Sequence, residues 1–78
     1  MTYHIEYHTP NSLTRIKIGT DLDYMLHLIK AEGCKITLGC IDKAIAWSKT
    51  AEEGKKHYIG CICTIRKGKE QMTEYTSY

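Results

Sequence analysis

The chain has 78 residues, 42% of them hydrophobic and 26% charged, and a net charge of +2. That length suits one compact domain spanning residues 1–78 rather than two. The composition is that of an ordinary globular protein, and no apolar run nears the roughly 18 to 20 residues of a membrane-spanning helix. The near-balanced charge argues against a strongly basic nucleic-acid binder and against an acidic nucleic-acid mimic.

The opening residues Met1, Thr2, Tyr3, His4, Ile5 and Glu6 alternate in polarity. They lack the basic start and apolar stretch of a signal peptide, so a cytoplasmic location is expected. In that compartment Cys34, Cys40, Cys61 and Cys63 are expected to be reduced and to pack as small apolar residues.

Tyr3, Ile5 and Tyr7 alternate with His4, Glu6 and His8, the period of two of a strand. Thr9, Pro10, Asn11 and Ser12 supply turn chemistry, after which Thr14, Ile16 and Ile18 alternate with Leu13, Arg15 and Lys17. An N-terminal β-hairpin follows. The next pattern is helical over residues 21–32: Thr20 is a candidate N-cap, Asp21 and Asp23 suit the positive end of the dipole, and Leu22, Met25, Leu26 and Ile29 form one apolar stripe. Lys30 and then Gly33 mark its end. Residues 34–39 return to alternation and read as a further strand.

Residues 41–53 admit two readings. Ile41, Ala44, Ile45, Trp47, Ser48 and Ala51 share one arc of a helical wheel, with Gly54 following; this favours a second helix. The alternation of Ile45 and Trp47 and the turn-like Glu52, Glu53, Gly54 and Lys55 instead fit a β-hairpin over 43–66. Residues 56–66 read as a central strand, with Ile59, Cys61, Cys63 and Ile65 on one face and Tyr58, Gly60 and Ile62 on the other. A turn at Arg66, Lys67, Gly68 and Lys69 then leads to an edge strand at 70–76. The fold class is α+β.

No catalytic or cofactor-binding spacing is present. The sequence carries no Ser/His/Asp arrangement, no H-E-x-x-H and no phosphate-cradling glycine loop, so the expectation is a protein that is not an enzyme and holds no cofactor. Cys61 and Cys63 have strand rather than knuckle spacing, which is poor for zinc, so no metal is expected. His4, His8 and His27 read as solvated surface positions. The basic residues Lys55, Lys56, Arg66, Lys67 and Lys69 fall at the two ends of the 56–66 segment, which favours charged turn tips over a phosphate-binding stripe.

The aromatic inventory is six Tyr, one Trp and no Phe. Tyr suits half-buried and interfacial positions better than a dry core. The candidate partner-binding residues are accordingly Tyr58, Ile62, Arg66, Lys67, Lys69 and Tyr75.

In size and looseness of motif the chain resembles small α+β proteins encoded by phages and mobile elements, including anti-CRISPR inhibitors of bacterial defence systems. That likeness is one of style, not of motif. It implies a protein target blocked sterically by stoichiometric occupancy in the host cytoplasm, with homodimerisation as a further use of a free apolar face. The alternative is a nucleotide or nucleic-acid binder using the basic turn 66–69.

Overall fold

The computed structural model describes residues 1–11 and 13–68. Among these, four strands, β1 (Tyr3–His8), β2 (Thr14–Gly19), β3 (Lys56–Ile59) and β4 (Cys63–Lys67), form one antiparallel sheet in the order β2-β1-β4-β3. Two helices, α1 (Leu22–Ala31) and α2 (Leu38–Thr50), separate the strand pairs in sequence. The α+β class and the N-terminal hairpin are therefore as expected. No helix of the described residues is long and apolar enough to cross a membrane.

Sheet parity sorts the residues. Directly opposed residues of an antiparallel pair share a face, so register alone assigns Lys17, Ile5, Ile65 and His57 to one row, and Arg15, Tyr7, Cys63 and Ile59 to the next. The apolar members of these rows pack with Leu22, Met25, Leu26 and Ile29 of α1 and Ile41 and Ala44 of α2 in one buried core. The helices thus cover one face only.

Helix α1 is capped by Asp21 rather than Thr20: Asp21 Oδ1 accepts the Tyr24 amide at 3.1 Å. Its C-terminal turn is closed by Gly33 at φ 104°, and a Cβ there would lie 2.8 Å from Pro10 Cγ. Both the left-handed backbone and the close proline require glycine at this position.

Residues 34–39 are not a strand. Cys34 and Ile36 are buried in an irregular connection, and Thr37 is the N-cap of α2, its Oγ1 accepting the Cys40 amide at 3.1 Å. The apparent alternation reflects anchoring of a loop by two apolar side chains, and capping chemistry starts the helix three residues before 41. The helical reading of 41–53 holds, ending at Thr50 with Ala51 as C-cap. The turn-like Glu52 to Lys55 segment is used after the helix: the Lys55 backbone amide donates to the Glu52 carbonyl at 3.2 Å, with Gly54 at φ 92°. A hairpin over 43–66 is thereby excluded in its first half.

Residues 56–66 are not one strand either. The chain reverses at Gly60 (φ 56°), where the Ile62 amide donates to the Ile59 carbonyl at 3.3 Å, and β3 pairs with β4. Ile59 and Cys63 are direct partners across the turn, so the parity read for a continuous strand survives the reversal. Of the pieces, β4 is central and β3 is an edge. Arg66 and Lys67 belong to β4 rather than to a turn. The expected strand at 70–76 lies outside the described residues.

Candidate functional site

Among the described residues, the opposite face of the sheet carries no helix. Register places Ile18, His4, Arg66 and Lys56 in one row across it, and Ile16, Glu6, Thr64 and Tyr58 in the next. Ile16 is 50% exposed, Ile18 44% and Tyr58 64%, a high exposure for three large side chains on one sheet face. His4 is the exception at 8%. It was expected at the solvated surface with His8 and His27, but β1 is an interior strand, so His4 is flanked by Ile18 and Arg66. At the hairpin mouth the Thr14 hydroxyl and His8 Nδ1 are 3.1 Å apart in an exposed hydrogen bond.

Only some of the sequence-derived candidates share this face. Tyr58 and Arg66 lie in adjacent rows, Tyr58 opposite Thr64 and Arg66 opposite Lys56. Ile62 instead sits half-buried in the β3–β4 turn, packed against the core, and its carbonyl accepts the His8 amide at 3.0 Å. Lys67 points to the helix side, where its ammonium donates to the Ser48 and Ala51 carbonyls at 2.5 and 2.7 Å. Those carbonyls close the end of α2, so Lys67 serves as a C-terminal cap. Lys69 and Tyr75 lie outside the described residues. The basic turn 66–69 is thus divided: Arg66 and Lys67 are successive strand residues on opposite faces.

Ile16, Ile18 and Lys56 are the residues that sequence reasoning did not select. The register contained the signal. If His8 pairs with Thr14 across the 9–13 connection, Ile16 and Ile18 must share a face with Glu6 and His4. Their alternation alone suggests core and does not say which side the helices cover.

Two polar clusters lie on the helix side. The Tyr7 hydroxyl donates to Glu32 Oε1 at 2.6 Å, while Lys17 Nζ lies 3.1 Å from Oε2 and Arg15 3.8 Å from Oε1. The Tyr7 hydrogen bond, reinforced by Lys17 and Arg15, holds the Glu32 carboxyl below its usual range; burial, then the same bond, pushes the Tyr7 phenol up. A shallow cavity of about 270 Å³ opens beside them, lined by Thr9, Pro10, Asn11, Arg15 and Glu32. The carboxylate is already matched to its cations, so this cluster ties the end of α1 to the sheet.

The second cluster surrounds Cys40, the third residue of α2. Thr37 Oγ1 donates to Cys40 Sγ at 3.2 Å, and a cleft of about 220 Å³ is lined by Cys40, Lys43, His57, Tyr58, Ile59 and Gly60. The Thr37 contacts, helped by Lys43, bring the Cys40 thiol below its ordinary value. His57 is stacked on Trp47 with ring centroids 5.2 Å apart, and burial lowers its pKa.

The cysteines consequently differ from the expectation that all four are core residues. Cys34 and Cys63 are buried, Cys40 is half-buried and Cys61 is exposed in the β3–β4 turn; all four are free. Cys61 leaves the core because the chain reverses at Gly60 and puts it in the turn. Among the described residues no group of three or more His, Cys, Asp or Glu side chains is arranged to hold a metal ion.

Compared with known protein families, curated proteins and solved structures, the chain gives no match.

Proposed function

We propose that the chain is a non-enzymatic protein-binding module that acts by stoichiometric occupancy through the helix-free face of its sheet. The observation that carries this reading is the shared row of Ile16, Glu6, Thr64 and Tyr58, which puts two well-exposed large side chains on either side of a polar centre. An aromatic with a polar tip beside aliphatic side chains is the composition of protein-binding patches.

The same face carries Lys56 at its edge and Glu6 near its centre, so its partner is a protein surface with an apolar strip and a mixed polar border. A single-stranded nucleic acid is less well supported. Such ligands stack on several aromatic side chains over a cationic groove, whereas this face offers Tyr58 on an edge strand and Glu6 on an interior one. Four free thiols favour a reducing, cytoplasmic setting. The likeness to phage-encoded inhibitors makes bacterial defence complexes the first targets to assay.

The test is a pull-down from bacterial lysate with the wild-type chain beside Ile16→Asp and Tyr58→Asp on the open face and Tyr24→Asp on the exposed side of α1. A protein held in 1:1 stoichiometry by wild type and Tyr24→Asp, and lost with both open-face variants, supports the reading. Equal recovery by all variants would sink it. Selective binding to single-stranded oligonucleotide that falls steeply with salt would replace it with the nucleic-acid alternative.

A further inference from the structure

We propose that the outer edge of β2 is a strand-addition site for an extended segment of a partner protein that alternates apolar and carboxylate side chains. The inference rests on the open-face reading, because Ile16 and Ile18 belong to both the face and the edge, and it names the backbone groups and charges that select the partner.

The backbone direction follows from the ladder. The Thr9 amide donates to the Leu13 carbonyl at 3.0 Å, and the His8 amide turns the other way, to the Ile62 carbonyl at 3.0 Å. Hydrogen-bonded and non-hydrogen-bonded pairs alternate along an antiparallel ladder, so Tyr7 with Arg15, Ile5 with Lys17 and Tyr3 with Gly19 are the bonded pairs of β1 and β2. The N–H and C=O groups of Thr14, Ile16 and Ile18 therefore point away from β1, out of the sheet edge. Among the described residues no strand pairs with that edge, and Thr14, Ile16 and Ile18 are all exposed. The sheet's other edge, β3, has four residues, whereas β2 runs for six without a proline and keeps one register with β1 throughout. Short strands, prolines and bulges are what usually blunt an edge.

Charge decides the occupant. A residue added opposite Arg15 or Lys17 projects to their side of the sheet, where both cations share the Glu32 carboxylate. Arg15 is the looser partner, 3.8 Å from Glu32 with its side chain 52% exposed, and the cavity of about 270 Å³ opens beside it. Carboxylates at those positions match the excess cation, while apolar residues between them lie beside Ile16 and Ile18. A second copy of the chain fits poorly. Antiparallel self-pairing of β2 centred on Arg15, Ile16 or Lys17 sets cation against cation across the new ladder, which is destabilising. In strand addition the main-chain bonds supply affinity and the alternating side chains supply specificity.

The experiment titrates the nitrogen-15-labelled full chain with a synthetic peptide alternating Val and Glu, beside one alternating Val and Lys, and reads amide exchange by NMR. In the free chain the Thr14, Ile16 and Ile18 amides are expected to exchange about tenfold or more faster than those of Arg15 and Lys17. The Val–Glu peptide should slow them to the level of their neighbours. Peptide residues paired with Ile16 and Ile18 turn their amides to β2 and their side chains to the open face, so N-methylation of the valines should abolish binding and N-methylation of the glutamates should leave it. Arg15→Glu, at an exposed position, should weaken the Val–Glu peptide about tenfold and strengthen the Val–Lys peptide, while Tyr58→Asp leaves both affinities unchanged. No binding at millimolar peptide, equal affinity for the two peptides, indifference to which residues are methylated, or protection of the edge amides by self-association of the free chain would each overturn the proposal. If the peptide fails while a lysate partner is still held by wild type and lost with Tyr58→Asp, the edge assignment falls and the open-face reading stands.

Discussion

Tyr7 and Glu32 are 25 residues apart in sequence and 2.6 Å apart across the sheet–helix boundary, the phenol donating to the carboxylate. Lys17 and Arg15 approach the same carboxylate from β2. One acidic residue at the end of α1 thereby joins the first three elements of the chain.

Removing this bond should weaken the fold at neutral pH and have little effect in strong acid. Glu32 has its pKa lowered from the ordinary 4.5, so its contribution is present above 4.5 and is lost as pH falls through the depressed value. Tyr7→Phe should cost about 1.5 to 3 kcal/mol at neutral pH, the range for a hydrogen bond to a charged acceptor, and flatten the loss of stability below pH 4.5. Lys17 behaves oppositely: its pKa is raised above 10.5, so its contribution is full below that value and is lost as pH rises through the folded-state pKa. Urea midpoints measured across pH in wild type and Tyr7→Phe test both signs.

Lys67 offers a test of stability against binding. Lys67→Met keeps the aliphatic stem but leaves the Ser48 and Ala51 carbonyls at the end of α2 without their donor, and should cost about 1 to 3 kcal/mol. Tyr58→Asp should show the opposite profile, a small change in stability with loss of the partner. Denaturation curves beside partner titration separate the two. A Lys67→Met protein of full stability that fails to bind would reverse the assignment.

Trp47 is the chain's one tryptophan, and its stacking on His57 makes its fluorescence a local reporter. Burial lowers the His57 pKa from 6.5, so the unfolded chain binds that proton more readily than the folded one. Stability should therefore be intact above pH 6.5 and decline as pH falls below it. His57→Phe should keep an aromatic partner for Trp47 and abolish this part of the acid dependence, as read from thermal midpoints between pH 7 and the Glu32 range. An unchanged profile in the variant would assign the effect to another group.

The readable parts of the fold were those with local causes. The stripe of Leu22, Met25, Leu26 and Ile29, closed by Gly33, specifies α1 almost to the residue, because a helical face and its stop signal lie within a few turns of each other. The hairpin of β1 and β2 is legible for the same reason, since alternation and turn residues adjoin. The reversal at Gly60 was not. Ile59, Cys63 and Ile65 keep strand parity through it while Cys61 falls in the turn, and a glycine with no proline or asparagine beside it is a weak turn signal. Residues 34–37 misled in the opposite direction, since Cys34 and Ile36 are buried from a loop.

By itself the sequence determined the composition of an α+β domain, the hairpin, the first helix to within a residue or two and the lack of recognisable catalytic spacing, and it narrowed 41–53 to two readings, because each depends on neighbours within about one helical turn or one β-turn. Tertiary structure alone decided which sheet face the helices cover. That choice left Ile16, Ile18 and Tyr58 outside, turned Lys67 inward as a cap and set Cys40 over a cleft shared with His57. These relations arise from strand register and from which layer packs on which. They join residues far apart in the chain, and alternation reports parity without saying which parity meets water.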